Sequence, residues 1–235
     1  MGSVAVLVPC SSKKNVEVPD MARAASLPRG PQSAVERAWL ERLRGLAPAM
    51  PATDLYGGRA FRIARAAARG AGADLYICSA GLGVVPGGRE VPAYGVSVSA
   101  PGSPDDISAR VEGRFVVPNW GRALTGSPYA VDLRAIVREA DLFIVAMSGP
   151  YYELIIDALT SLPQLPQLRL VGHRLDRRLV PSLHRYILPY ERKRLDELHP
   201  GTGFDFPARA LAHFLGAVLP GALGGHVEHV LQRQP

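Results

Sequence analysis

The chain has little lysine, little cysteine and no long apolar run. Lys13, Lys14 and Lys193 are its only lysines, and the other 24 of its 27 basic residues are arginines. Two cysteines in 235 residues cannot form the framework of a disulfide-stapled domain. No apolar stretch reaches the roughly 18 residues that a membrane span needs. The short apolar run near the start has no basic region before it and is too short for a signal peptide. The expectation is a cytoplasmic protein with no membrane partner. The spacing of a Gly-rich phosphate loop is absent, so nucleotide hydrolysis has no direct motif. Six histidines make no ligand pattern beyond His226 and His229, three residues apart. Neither a metal nor a cofactor is expected.

What the chain does have is a hydrophobic fraction of 47%, sufficient for a real core. Its net charge is +6 and its pI about 9.6. That balance favours an anionic partner, nucleic acid or a nucleotide. Basic residues cluster between 173 and 200, where Arg174, Arg177, Arg178, Arg185, Arg192, Lys193 and Arg194 are the candidate nucleic-acid contacts.

Periodicity alternates between strand and helix. Val4-Ala5-Val6-Leu7-Val8 is continuously apolar, which suits a central parallel strand. Residues 15–31 carry Pro and Gly and read as a loop. Ser33 with Glu36 has capping-box spacing, and Val35, Trp39, Leu40 and Leu43 place a helix over 34–45. Residues 59–69 predict a second helix, ended by Gly70 and Gly72. Leu75 to Cys78 predicts a second strand, completing a right-handed crossover. Further strands are expected at 141–147 and 168–171, with an edge strand at Phe115-Val116-Val117. Helices are expected at 132–139, 151–162, 189–198 and 207–219. The fold class is α/β: an open, mainly parallel sheet of four or more strands flanked by helices. A single domain is expected over 1–235, with an irregular insertion at about 99–129 and a frayed tail from 220.

The candidate site follows from two strand ends. Strand one runs into Cys10-Ser11-Ser12-Lys13, and the second strand into Ser79-Ala80-Gly81-Leu82-Gly83. Small, hydroxyl-rich turns at parallel strand ends predict one crevice at the carboxyl edge of the sheet. Cys10 beside two lysines reads either as a nucleophile or as a small buried residue. Ser11 and Ser12 suit an anion nest or a helix cap, with Lys13 adding a point charge. Ser148 opens a helix at a third strand end and caps it or receives an anion. Tyr56, Tyr94 and Tyr151 either stack a base or pack. Arg59 at a helix start opposes the helix dipole, which points to a phosphate or to a structural carboxylate such as Asp54. Asp54, Glu90 and Glu112 are the acidic residues best placed for general acid and base work, and Asp54 and Glu90, with Lys13, are the catalytic candidates.

In order and spacing, Cys10-Ser11-Ser12-Lys13, Leu55-Tyr56 with Phe61 and Ala64, and Ser79 to Val85 followed by Tyr94 form a set. This set resembles a family of uncharacterised bacterial and phage domains related to the peroxide stress protein YaaA. The Cys-Ser turn with its lysine is also similar to one in archaeosine synthase. The resemblance covers roughly residues 4–98 and departs at Gly81-Leu82-Gly83, which lacks the tyrosine of the YaaA run. It implies a compact α/β fold and DNA binding. The resulting expectation is an enzyme acting on a nucleobase or nucleoside, by N-glycosidic cleavage or base exchange. Ser12, Ser79 and Gly81 to Gly83 would hold the base. The alternative is a non-catalytic DNA-binding protein of stress response or phage defence.

Overall fold

The computed structural model describes residues 2–162 and 165–222. His226, His229 and nearly all of the expected frayed tail lie outside the described residues. A five-stranded sheet organises the rest. Its strands are β1 (Val4–Pro9), β2 (Asp74–Ser79), β3 (Gly83–Pro86), β4 (Leu142–Ala146) and β5 (Leu168–Val171). They lie in the order β3-β2-β1-β4-β5, and β3 alone runs antiparallel to its neighbour. The apolar run of β1 suits its central place: Ala5 to Val8 are buried between partners on both sides. Val8 pairs with Ile77 of β2, and Val6 with Ile144 of β4.

The longer helices are α1 (Gln32–Gly45), α2 (Arg59–Gly70), α3 (Val117–Leu124), α4 (Leu133–Glu139), α5 (Gly149–Thr160), α6 (Arg192–Leu198) and α7 (Phe206–His213). The last continues as a π-turn over Phe214–Val218. Helix α2 carries the chain from β1 to parallel β2 and packs on α7. Helices α1, α3 and α5 form a second packed group. One hydrophobic cluster extends from Ala5 to Val218.

Several expectations are corrected here. The expected edge strand at 115–117 is not a strand: Val116 precedes α3, with Pro118 in the first turn. The Gln32 side chain satisfies both main-chain groups of Val116, accepting from its N–H at 2.8 Å and donating to its C=O at 2.9 Å. A side chain thus supplies what a neighbouring strand would have supplied. The expected capping box at Ser33 is absent, because α1 starts two residues earlier than expected, after Pro31, and Glu36 accepts from Gln32 at 2.8 Å. The 15–31 loop is held in place: Val18, Ala22, Ala24 and Leu27 are buried, and Arg23 and Gly30 bridge to Gly95 and Val111. The stretch at 99–129 is only partly irregular, since α3 falls within it and buries Trp120 completely.

Candidate active site

Strand neighbours of β1 are reached in opposite directions, β2 by way of α2 and β4 much later in the chain. This is the switch point at which an open α/β sheet leaves a crevice beyond its strand ends. A cavity of about 470 Å³ opens there. Cys10, Ser11 and Ser12 line it from the end of β1, and Ser148 and Tyr151 from the end of β4. Gly58, Arg59 and Phe61 face it from the start of α2, and Thr202, Phe204 and Asp205 from the approach to α7. Gly58 lies close against Ser11: a Cβ there would meet its hydroxyl and force that side chain to shift.

A polar cluster lies beneath the β1 turn. The Cys10 amide donates to the Cys78 carbonyl at 2.9 Å, which fixes the point where the strand ends. Its sulfur lies 3.3 Å from the Tyr151 hydroxyl. Lys14 turns inward, donates to the Ser11 carbonyl, and places its amine 4.8 Å over the rings of both Tyr56 and Tyr94. The Tyr94 hydroxyl meets Ser79 at 2.6 Å and Tyr56 at 3.0 Å. Burial pulls the Lys14 amine below its ordinary range, while the charges of Cys10 and Asp105 oppose that shift. Burial, and next the charge of Cys10, push the phenols of Tyr56, Tyr94 and Tyr151 up. Those hydroxyls therefore stay protonated and can donate.

The other wall carries charge. Asp205 accepts from the Thr202 amide and from Arg209 Nε, both at 2.8 Å on the same oxygen, Oδ1. Its second oxygen faces Arg59 Nε at 3.3 Å. Arg209 is buried and also pairs with Asp196 at 2.8 Å. Burial alone would raise the Asp205 pKa. The Arg209 hydrogen bond, the Thr202 amide and the two guanidinium charges outweigh it and hold the carboxyl below its usual range. Arg59, which opposes the dipole of α2, thus has Asp205 as its carboxylate, not Asp54.

The structure brings together Cys10, Ser11, Ser12, Arg59, Ser148 and Tyr151 as expected, and separates the rest. Lys13 is exposed, whereas Lys14 points into the cluster. Asp54 is exposed and paired with Arg65 at 2.7 Å, and Glu90 is exposed in a two-residue ribbon with Pro51. Neither lines the crevice. Gly81 and Leu82 are packed in the core: Trp39 donates to the Gly81 carbonyl at 2.6 Å and Trp120 to that of Ala80 at 2.8 Å. The small residues of that turn admit tryptophan and tyrosine side chains, not a ligand. Ser79 and Gly83 border a second cavity of about 460 Å³, against α3, α4 and α5. Tyr56 and Tyr94 are fully buried beneath Lys14, and none of the three lines the crevice.

Sequence reasoning missed Lys14, Thr202, Phe204, Asp205 and Arg209. Asp205 and Arg209 stand four apart at a helix start, a legible ion-pair spacing. Nothing local distinguishes Lys14 from Lys13, since the choice rests on which side of the chain meets Tyr56.

Fold and site together define an α/β protein with a switch-point crevice, bounded by Cys10 and Tyr151 on one side and an arginine-held carboxylate on the other. Searches against protein-family models, curated proteins and solved structures find no match to this chain.

Proposed function

We propose that the protein acts on a nucleobase held in this crevice, as an N-glycosidase or base-exchange enzyme on a nucleoside, nucleotide or nucleic acid. The observation that carries this reading is Asp205. Breaking a glycosidic bond builds positive charge on the sugar, and a nearby ionised carboxylate stabilises it. Asp205 lines the crevice, and its two arginines keep it ionised. The cavity volume suits a nucleoside. Phe204, 95% exposed on the rim, and Tyr151 offer flat faces to a base. Ser11, Ser12, Ser148 and Thr202 supply hydroxyls for base edges and sugar.

Chromatography for base released from nucleosides, nucleotides and modified oligonucleotides tests the reading. Release by the native protein, reduced roughly a hundredfold in Asp205→Asn, is expected. A folded protein that frees no base from any substrate would remove it. A second reading, non-catalytic nucleic-acid binding, is favoured by the arginine cluster: Arg174, Arg177, Arg178, Arg185, Arg192, Lys193 and Arg194 are all exposed.

A further inference from the structure

We propose that the crevice takes its base from an unpaired polynucleotide, and that Arg178 and Arg192 hold the phosphates on either side of that nucleotide. The inference rests on the crevice being a nucleobase site and narrows its substrate to a nucleotide within a chain. Charge is distributed differently inside the cavity and at its mouth. Of the residues that line it only Arg59 and Asp205 are charged, and they face each other at 3.3 Å. The interior is therefore close to neutral, which suits an uncharged base and sugar.

Two guanidinium groups stand just outside, each against a glycine beside a lining residue. Arg178 packs on Gly149, which follows Ser148, and a Cβ on that glycine would collide with the guanidinium. Arg192 approaches Gly203, between Thr202 and Phe204, where a Cβ would lie 3.5 Å from its Nη1. Both arginines are exposed, and neither lines the cavity. Ser148 follows the end of β4 and Gly203 lies on the approach to α7, so the two cations flank different walls.

Little nearby charge offsets them. Asp196 faces Arg192 at 3.4 Å but also pairs with buried Arg209 at 2.8 Å, so one carboxylate serves two guanidinium groups. Arg178 has no hydrogen bond or ion pair among the described residues. It nevertheless sits at the start of α5, where the helix dipole repels a cation. Arg59, placed likewise on α2, has Asp205 to offset that cost. Residues 173–200 carry seven lysines and arginines against four acidic residues.

A free nucleoside brings no charge to these groups, and a mononucleotide brings one phosphate to two walls. A polynucleotide has a phosphodiester on each side of every internal nucleotide. Phe204, 95% exposed beside Gly203, adds a ring that a nucleoside inside the cavity leaves largely bare. The next base of a chain can stack on it. A duplex keeps its bases paired and stacked, out of reach of a crevice this size, so the chain is unpaired.

Fluorescence anisotropy with a labelled single-stranded oligothymidylate tests the flanking sites, and base release from oligonucleotides against the matching nucleosides tests the substrate. The log–log salt slope of binding should become shallower by about 0.7 in Arg178→Ser and by the same amount in Arg192→Ser. Phe204→Ala should weaken binding about tenfold. Arg69→Ser removes an equal charge from the last turn of α2, the end away from the crevice, and should leave the slope unchanged. Circular dichroism verifies that each variant folds. A slope unchanged in both arginine variants, an equal loss in Arg69→Ser, or tighter binding of a duplex overturns the proposal. Base released from free nucleosides as fast as from oligonucleotides refutes the polynucleotide substrate and leaves the glycosidase reading standing. Oligonucleotide binding that depends on Arg178 and Arg192, in a protein that releases no base, does the reverse.

Discussion

Asp205 holds Arg209 with one oxygen and Arg59 with the other. Its carboxyl is held below its ordinary value of 3.8, so the folded chain keeps it ionised where the unfolded chain begins to protonate it. The stabilisation is fully present above about pH 4 and is lost as pH falls through the lower folded value. Urea midpoints measured below pH 4 should fall steeply in the native protein and less steeply in Asp205→Asn. Arg209→Met removes the buried cation that Asp205 and Asp196 share, leaving Asp205 with Arg59 and Asp196 with Arg192, and should cost about 3 kcal/mol in the same assay. Lys14 has the same sign, at the alkaline end of the scale. Its folded pKa lies below 10.5, so between the two values only the unfolded chain holds the proton, and stability falls as pH drops through that window and rises as pH climbs back through it. Lys14→Met should abolish that alkaline rise and leave the rest of the pH profile in place.

Between elements, backbone contact matters more than side-chain pattern. Gly121 of α3 lies against the Leu154 carbonyl of α5, and a Cβ there has no room. Gly121→Ala should force the helices apart and lower stability by about 1–3 kcal/mol, read from thermal melts. The Trp120 indole satisfies the Ala80 carbonyl in the core. Trp120→Phe should leave that carbonyl unpaired at a cost of about 1–3 kcal/mol. Strand and helix positions were largely legible, because apolar runs and helical spacing report burial directly: Leu168–Val171 is a strand where the spacing placed it. Phe115-Val116-Val117 misled because β-branched, aromatic composition says nothing about whether a partner strand exists, and Gln32 took that role.

For the molecule as a whole, the net charge of +6 and the exposed cluster over 174–194 set the expected behaviour toward polyanions. If the second reading holds, oligonucleotide affinity should fall steeply with salt. The Arg192→Glu, Lys193→Glu double variant should then flatten the log–log slope by roughly 0.7–0.9 for each phosphate that is no longer neutralised. Fluorescence anisotropy at several salt concentrations measures this.

The sequence by itself determined the α/β class, the central place of β1 and a crevice at its carboxyl end. Those features depend on local composition and on the rule that parallel strands are buried on both faces. Tertiary structure decided which strand end shares the crevice with Cys10. It is the Ser148 end of β4, not the Gly81 end of β2, whose small residues are filled by Trp39, Trp120 and Tyr94. It also selected Lys14 over Lys13 and brought in Asp205 from the far end of the chain. The physical reason is shared: a glycine, a lysine or an aspartate carries the same local signal whether it faces a cavity or a neighbour, and only the packed chain determines which it meets.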